Sequence, residues 1–267
     1  MGILKVEGVT AGYNTTPVIR EVTFSVPEGS VFGIIGPNGA GKTTLFRTLS
    51  RLMKPWKGVV SFKGADIAGI SRRDYARSVA VVPQFRQTPP PFTVREFVSM
   101  GRYPHRGRLA RLNKEDGRIV DKAMELLDVS TFKDKLVSTL SGGEMGRVFL
   151  AQGIVQQPEL ILMDEPTAHL DIGHKIRTLD LMRSLAKRTG LTALIILHDL
   201  NLAGTYCDSL VMMKGGGIHS SGRPEEVLSE GHVTEVYGTP VRVGTNPATG
   251  KPHIFFLPQS PSGVIPD

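Results

Sequence analysis

Among the 267 residues of the chain, the longest unbroken apolar run is five, from Ala193 to Leu197. A helical membrane span takes roughly 20 such residues, so no segment is expected to cross a bilayer. The single cysteine, Cys207, leaves no internal disulfide to form, and no Cys/His cluster surrounds it to suggest structural zinc. It is expected to be a small buried hydrophobe. The first residues, Met1 to Glu7, lack a basic region followed by an apolar stretch and a small-residue cleavage site. No secretory signal is therefore predicted, and a cytoplasmic location is expected. Internal repeats and low-complexity tracts are missing as well.

What is present is an ordinary globular composition, 40% hydrophobic and 21% charged with a net charge of +7, in a chain long enough for one large domain or a domain with an inserted lobe. The charge is unevenly placed. Between Arg86 and Arg118, eight basic residues (Arg86, Arg95, Arg102, Arg106, Arg108, Arg111, Lys114, Arg118) stand against three acids (Glu96, Glu115, Asp116), a net +5 of the +7. Such a stretch suits water, anionic lipid or nucleic acid and by itself does not choose among them.

Short β-branched runs, Val31 to Ile35, Val79 to Val82, Leu160 to Met163 and Leu194 to Leu197, read as strands covered on both faces. Helical patterns at Lys42 to Leu52 and Ile176 to Lys187 lie between them, which predicts an α/β fold with a mostly parallel sheet. Leu4 to Val9, Val22 to Val26 and Gly58 to Phe62 alternate instead, so an antiparallel β-layer is expected to flank the core. Residues 88–156 read as an inserted helical lobe between core segments 1–87 and 157–230. Residues 231–267 read as a short appendage, a helix followed by a Pro/Gly-rich extended tail with one apolar patch, Ile254 to Leu257.

The sharpest motif is Gly36-Pro37-Asn38-Gly39-Ala40-Gly41-Lys42-Thr43, which satisfies the phosphate-loop pattern in full, between a strand and a helix opening with Lys42-Thr43-Thr44. Glycines let the backbone wrap phosphates, and the N–H groups and helix start face the negative charge. Lys42 is placed to reach the β- and γ-phosphates and Thr43 to bind Mg²⁺. Leu160 to Met163 runs into Asp164-Glu165 at the strand end, where open α/β sheets bind ligands. Asp164 suits the metal, and Glu165 suits polarisation of an attacking water.

Gln84 follows the strand Val79 to Val82, and its amide suits Mg²⁺ or water; alone it fits a surface loop equally well. His198 ends the strand Leu194 to Leu197 and suits a γ-phosphate, or a helix cap beside Asp199. Leu140-Ser141-Gly142-Gly143-Glu144 is a second Gly-rich turn, leading into a helix over Arg147 to Gln156. One chain holds one nucleotide at Gly36 to Thr43, so this second anion site is assigned to the nucleotide of another subunit.

In this order, Tyr13, Gly36 to Thr43, Gln84, Leu140 to Glu144, Leu160 to Glu165, Ala168-His169-Leu170-Asp171 and His198 resemble the ATP-binding cassette ATPases, over about residues 3–240. The resemblance implies a P-loop NTPase core with a flanking antiparallel β-layer and an inserted α-helical subdomain. It implies ATP and Mg²⁺ as cofactors, with Tyr13 stacking on adenine and Gly36, Pro37, Asn38, Gly39, Ala40, Gly41, Lys42, Thr43 and Thr44 binding the triphosphate and metal. It further implies that Gln84 and Asp164 join Thr43 at magnesium, that Glu165 is the catalytic base and that His198 is the switch histidine. Two copies are implied to sandwich two ATP molecules head to tail. Ser141, Gly142, Gly143 and Glu144 then act in trans, and Asp171 lies at the dimer interface. Where the family often has Gln-x-Gln-Arg after Leu-Ser-Gly-Gly, this chain has Glu144-Met145-Gly146-Arg147, so Glu144 would bring a charge near phosphate.

A narrower resemblance rests on Gly101-Arg102-Tyr103-Pro104-His105, Pro166 to Ile172, His198-Asp199-Leu200-Asn201, Val236-Tyr237-Gly238 and Asn246 to His253. These are similar to ATPase subunits of importers for ferric siderophores, haem and cobalamin. That likeness implies transmembrane permease subunits as partners, a substrate-binding protein acting indirectly, no nucleic acid, and a peripheral position on the cytoplasmic side of the inner membrane. Manganese or zinc importers, a soluble non-transport cassette ATPase and a P-loop kinase are the alternatives. A kinase leaves Leu140 to Glu144 unexplained.

Overall fold

The computed structural model describes residues 2–83, 91–106, 112–167 and 170–257. Two long strands, β1 (Gly2–Tyr13) and β2 (Thr16–Pro27), precede the short β3 (Val31–Ile35), α1 (Lys42–Leu49), β4 (Lys57–Phe62) and β5 (Ala65–Asp66). Then α2 (Arg72–Ser78) leads into β6 (Val79–Val82), and α3 (Val94–Ser99), a 3-10 turn (Met100–His105), α4 (Lys114–Leu126) and α5 (Gly142–Val155) follow. Strands and helices alternate again through β7 (Leu160–Asp164), α6 (Ile172–Thr189), β8 (Thr192–Ile196), α7 (Leu200–Tyr206) and β9 (Ser209–Lys214). The remainder is β10 (Gly217–Gly222), α8 (Pro224–Val227), α9 (Glu230–Tyr237) and the pair β11 (Val241–Thr245) and β12 (Pro252–Phe256).

Six strands form the central sheet in the order β10-β9-β3-β8-β7-β6, parallel except for β10. Every residue of β3, β7 and β8 is buried, which is why these strands read as unbroken apolar runs. A second, antiparallel sheet runs β2-β1-β4-β5. The period of two sorts the central strands between two apolar clusters. Ile34, Leu162 and Ile196 join the antiparallel sheet and α1, whereas Ile35, Met163 and Ile195 join the helices on the other face. In register, Ile34 and Asp164 both pair with Ile196. The chain segments leaving β3, β7 and β8 therefore emerge side by side at one edge.

Four expectations change. α1 stops at Leu49, short of Leu52, because Arg51 takes a left-handed backbone (φ 59°) just past Ser50, the helix C-cap. α5 starts at Gly142, ahead of Arg147, because Ser141 and Glu144 close a capping box that fixes the start despite the glycines. The described part of the tail holds a β-hairpin, β11–β12, in which Asn246 O accepts Thr249 N–H and Gly250 N–H (3.3 and 2.8 Å), and Gly250 takes φ 68°. Arg102, counted in the basic stretch, is buried: Nε donates to Asp116 Oδ1, and Nη1 to Val155 O and Gln157 Oε1, each at 2.9 Å. Arg95 is ion-paired with Asp121, so part of the local excess is neutralised within the chain. Cys207 is buried, and desolvation pushes its thiol pKa up, as suits an inert hydrophobe.

Candidate functional site

The turn from β3 into α1 is built from backbone that only glycine accepts. Gly36 has φ 147°, where a Cβ would sit 2.5 Å from Met213 O, and Gly41 has φ 98°, where a Cβ would sit 2.6 Å from Ile19 Cγ2. Gly41 is also the N-cap of α1 and offers no side-chain cap to the first-turn N–H groups, and that turn carries no acid. A helix start left in this state presents bare donors and a partial positive charge. Lys42 is buried, and its Nζ donates to Gly36 O (2.6 Å) and Pro37 O (2.9 Å) inside its own loop. Burial lowers its ammonium pKa, opposed by Glu165 and then Asp164.

Asp164 is the buried last residue of β7. Glu165 follows in a left-handed conformation (φ 53°), a strained state for a non-glycine residue of the kind that collects at functional sites. Its Oε1 meets His198 Nε2 at 2.5 Å, with side-chain exposures of 16% and 46%. Asp199, one residue on, is the cap of α7, accepting Asn201 N–H (2.9 Å) and Leu202 N–H (3.0 Å). His198 is therefore released from capping and turned to the carboxylate. A pocket of about 540 Å³ is lined by Val18, Asn38, Gly39, Ala40, Gly41, Lys42, Thr43, Thr44, Glu165 and His198, whereas Gly36, Pro37 and Asp164 do not line it.

The other anticipated residues lie elsewhere. Tyr13 ends β1, half exposed, and its hydroxyl accepts from Arg47 Nη1 on α1 (3.1 Å) without lining the pocket. Ser141 caps α5: Glu144 Oε2 accepts both Ser141 N–H (2.8 Å) and Oγ–H (2.7 Å), and Ser141 Oγ accepts Glu144 N–H (3.3 Å). These bonds, the side-chain one foremost, hold the Glu144 carboxyl below its usual pKa. Neither Ser141 nor Gly142, Gly143 or Glu144 lines the pocket. Asp171 caps α6, accepting His174 N–H and facing His174 Nδ1, both at 2.8 Å. Gln84 and His169 lie outside the described residues, as do Arg86, Arg108 and Arg111. Val18 reaches the pocket from β2, and no sequence pattern marks it.

These groups fit a nucleoside triphosphate with magnesium: an uncapped helix start, a buried lysine, a hydroxyl at Thr43 and two carboxyls sit at one sheet edge. The ABC transporter family profile matches residues 19–168. The chain belongs to the ABC transporter family. As a member of this ATPase family, the chain binds ATP. The chain is 39% identical to the ferric enterobactin transport ATP-binding protein FepC of Escherichia coli, over 95% of this chain and 94% of that one. It is also 39% identical to the cobalamin import ATP-binding protein BtuD of Halobacterium salinarum over 98% of this chain, yet spans 65% of that relative's length. The ADP conformation of an ATP-binding cassette of an ABC transporter superposes with a TM-score of 0.78 at 30% identity, covering 89% of this chain and 98% of that one.

Proposed function

We propose that this chain binds and hydrolyses ATP as a subunit of an importer, coupling ATP-driven dimer closure to uptake of an iron complex (siderophore or haem) or cobalamin through a separate permease. The observation that carries it is the Glu165–His198 contact across one pocket from the phosphate loop. Lys42 turns its ammonium donors from Gly36 O and Pro37 O to phosphate oxygens, and the open start of α1 adds backbone N–H groups. Thr43, Asp164 and Gln84 would hold Mg²⁺, which would supply charge neutralisation at the phosphates. Glu165 accepts a proton from the attacking water, and His198 holds that carboxylate and faces the γ-phosphate. Because phosphoryl transfer is mainly positioning and charge stabilisation, these few groups suffice.

Tyr13 takes adenine at the pocket's margin. A second copy completes the site with Ser141, Gly142, Gly143 and Glu144, and the exposed Asp171 lies in the contact between copies. The division is a core of residues 1–87 and 157–230, a helical subdomain of residues 88–156 that docks the permease, and an appendage of residues 231–267. Among the described residues no helix is long and apolar enough to cross a membrane, in keeping with a peripheral place at the cytoplasmic face of the inner membrane. The iron and cobalamin relatives support the substrate class, and a substrate-binding protein acts only through the permease.

Copurification with the permease, followed by ATP hydrolysis assays with loaded binding proteins, tests the reading. Stimulation by a ferric siderophore, haem or cobalamin carrier is expected. Stimulation only by a manganese or zinc carrier would replace the substrate class, and a salt-dependent shift of nucleic acid by the chain would replace transport itself.

A further inference from the structure

The hairpin β11–β12 is fastened to α7 by a side-chain amide standing in for a strand partner. Asn201 Nδ2 donates to Ile254 O (3.2 Å), and Ile254 N–H donates to Asn201 Oδ1 (2.7 Å), so one amide engages both peptide groups of a single residue 53 positions away. Ile254 is buried in the same apolar cluster as Leu200, Ala203 and Tyr206 of α7. The contact is close: a Cβ on Gly204 would sit 2.9 Å from Leu228 Cδ1 and 3.1 Å from Pro252 O.

What this fastening holds is the segment that carries His198. On its N-terminal side the segment is tied to the sheet, where Leu197 N–H donates to Ile34 O (3.1 Å). On its C-terminal side it runs into α7, whose seven residues are too few to be stable alone. The first turn of α7 is held by the Asp199 cap and by Asn201, whose own N–H the cap accepts. A primary amide offers a donor and an acceptor side by side, which an ionised carboxylate cannot. Aspartate would set a second acceptor against Ile254 O, and leucine would leave both peptide groups without their partner.

We infer that Asn201 is a positioning residue through which the C-terminal hairpin holds His198 against Glu165, making the hairpin a working part of the ATP site. This rests on the roles proposed above for Glu165 and His198. The test measures ATP affinity and single-turnover hydrolysis in the full chain carrying Asn201→Asp, Asn201→Leu, His198→Ala, or His198→Ala with either Asn201 change. Asn201→Leu is expected to slow hydrolysis about tenfold, the scale of two lost side-chain hydrogen bonds, while ATP affinity stays within about twofold. Asn201→Asp, of the same shape and so least disturbing to folding, should fall in between. In the His198→Ala background neither change should slow hydrolysis further, since residues acting as a unit are not additive. Equal fractional losses in both backgrounds, or a wild-type rate in Asn201→Asp while His198→Ala is slow, would overturn the inference alone. A wild-type rate in His198→Ala would overturn the role of His198 and the inference with it.

Discussion

α1 and α5 both begin at a glycine-rich turn, yet their first-turn amides are treated in opposite ways. At α1 the cap is Gly41, which supplies no side-chain cap, and the first turn carries no acid. At α5 the Ser141–Glu144 box closes on itself, and the carboxylate of Glu144 takes both donors of Ser141. The first start is ready for an anion brought to its own chain. The second is already satisfied by its own anion, and on the proposed reading it would serve a phosphate only when a second copy brings one close enough to draw the Ser141 hydroxyl away from Glu144. On the proposed reading, one helix start binds and the other reports that a partner has arrived.

The largest effect that separates the two is expected from Lys42→Ala. Losing the buried ammonium beside the open helix start should weaken ATP binding by at least about a hundredfold, since charge-assisted contacts to phosphate are the strong ones. Fluorescent-nucleotide titration checks this, and near wild-type affinity would leave α1 without its assigned role. Next is a mixing experiment. Chains carrying Lys42→Ala and chains carrying Ser141→Arg should each be inactive, whereas mixed dimers keep one intact site. Mixing should restore about a quarter of wild-type turnover, half the dimers being mixed and one of two sites working in each. No recovery on mixing would argue that α5 does not serve a partner's nucleotide.

A smaller effect should come from Glu144→Gln, which keeps the shape of the box and removes its charge. Relieving the repulsion between carboxylate and phosphate should tighten the ATP-bound dimer about three- to tenfold, the size of helix-terminus charge effects. Sedimentation of the dimer in a Glu165→Gln background measures it, and a weaker dimer would mean that the charge of Glu144 helps closure. In the isolated chain the same change should cost about 0.5–1 kcal/mol of stability, readable by urea unfolding, because the box loses its ionised acceptor.

The local parts of this site were legible in the residues. β3, β6 and β7 read at their places and β8 within two residues of its own, because continuous apolar runs mark strands that are wholly buried or, in edge strand β6, buried except for the half-buried Val81. The phosphate loop, Asp164-Glu165 and His198 read because each is a short signal at a strand end. What stayed hidden is non-local. Val18 lines the pocket only because β2 passes over the loop, and Asn201 meets Ile254 only because the tail folds back as a hairpin. A count of charges carries no information on burial, so the sequence does not separate Arg102 from the rest of the basic stretch; Asp116 compensates it inside the fold. Glycines argue against helix and move the expected start of α5 to Arg147, while the capping pair that overrides them is visible at Ser141 and Glu144.

Glu165→Gln bears most directly on the proposal that these groups hydrolyse ATP. It changes one oxygen to an amide nitrogen at the pocket wall and removes the only group proposed to take the proton from water. With ATP binding and phosphate release measured on the same sample, binding should be unchanged and turnover should fall by at least about a hundredfold, the usual scale for a general base. Turnover at the wild-type rate with ATP bound would contradict the assignment of Glu165 and with it the chemistry proposed for this site.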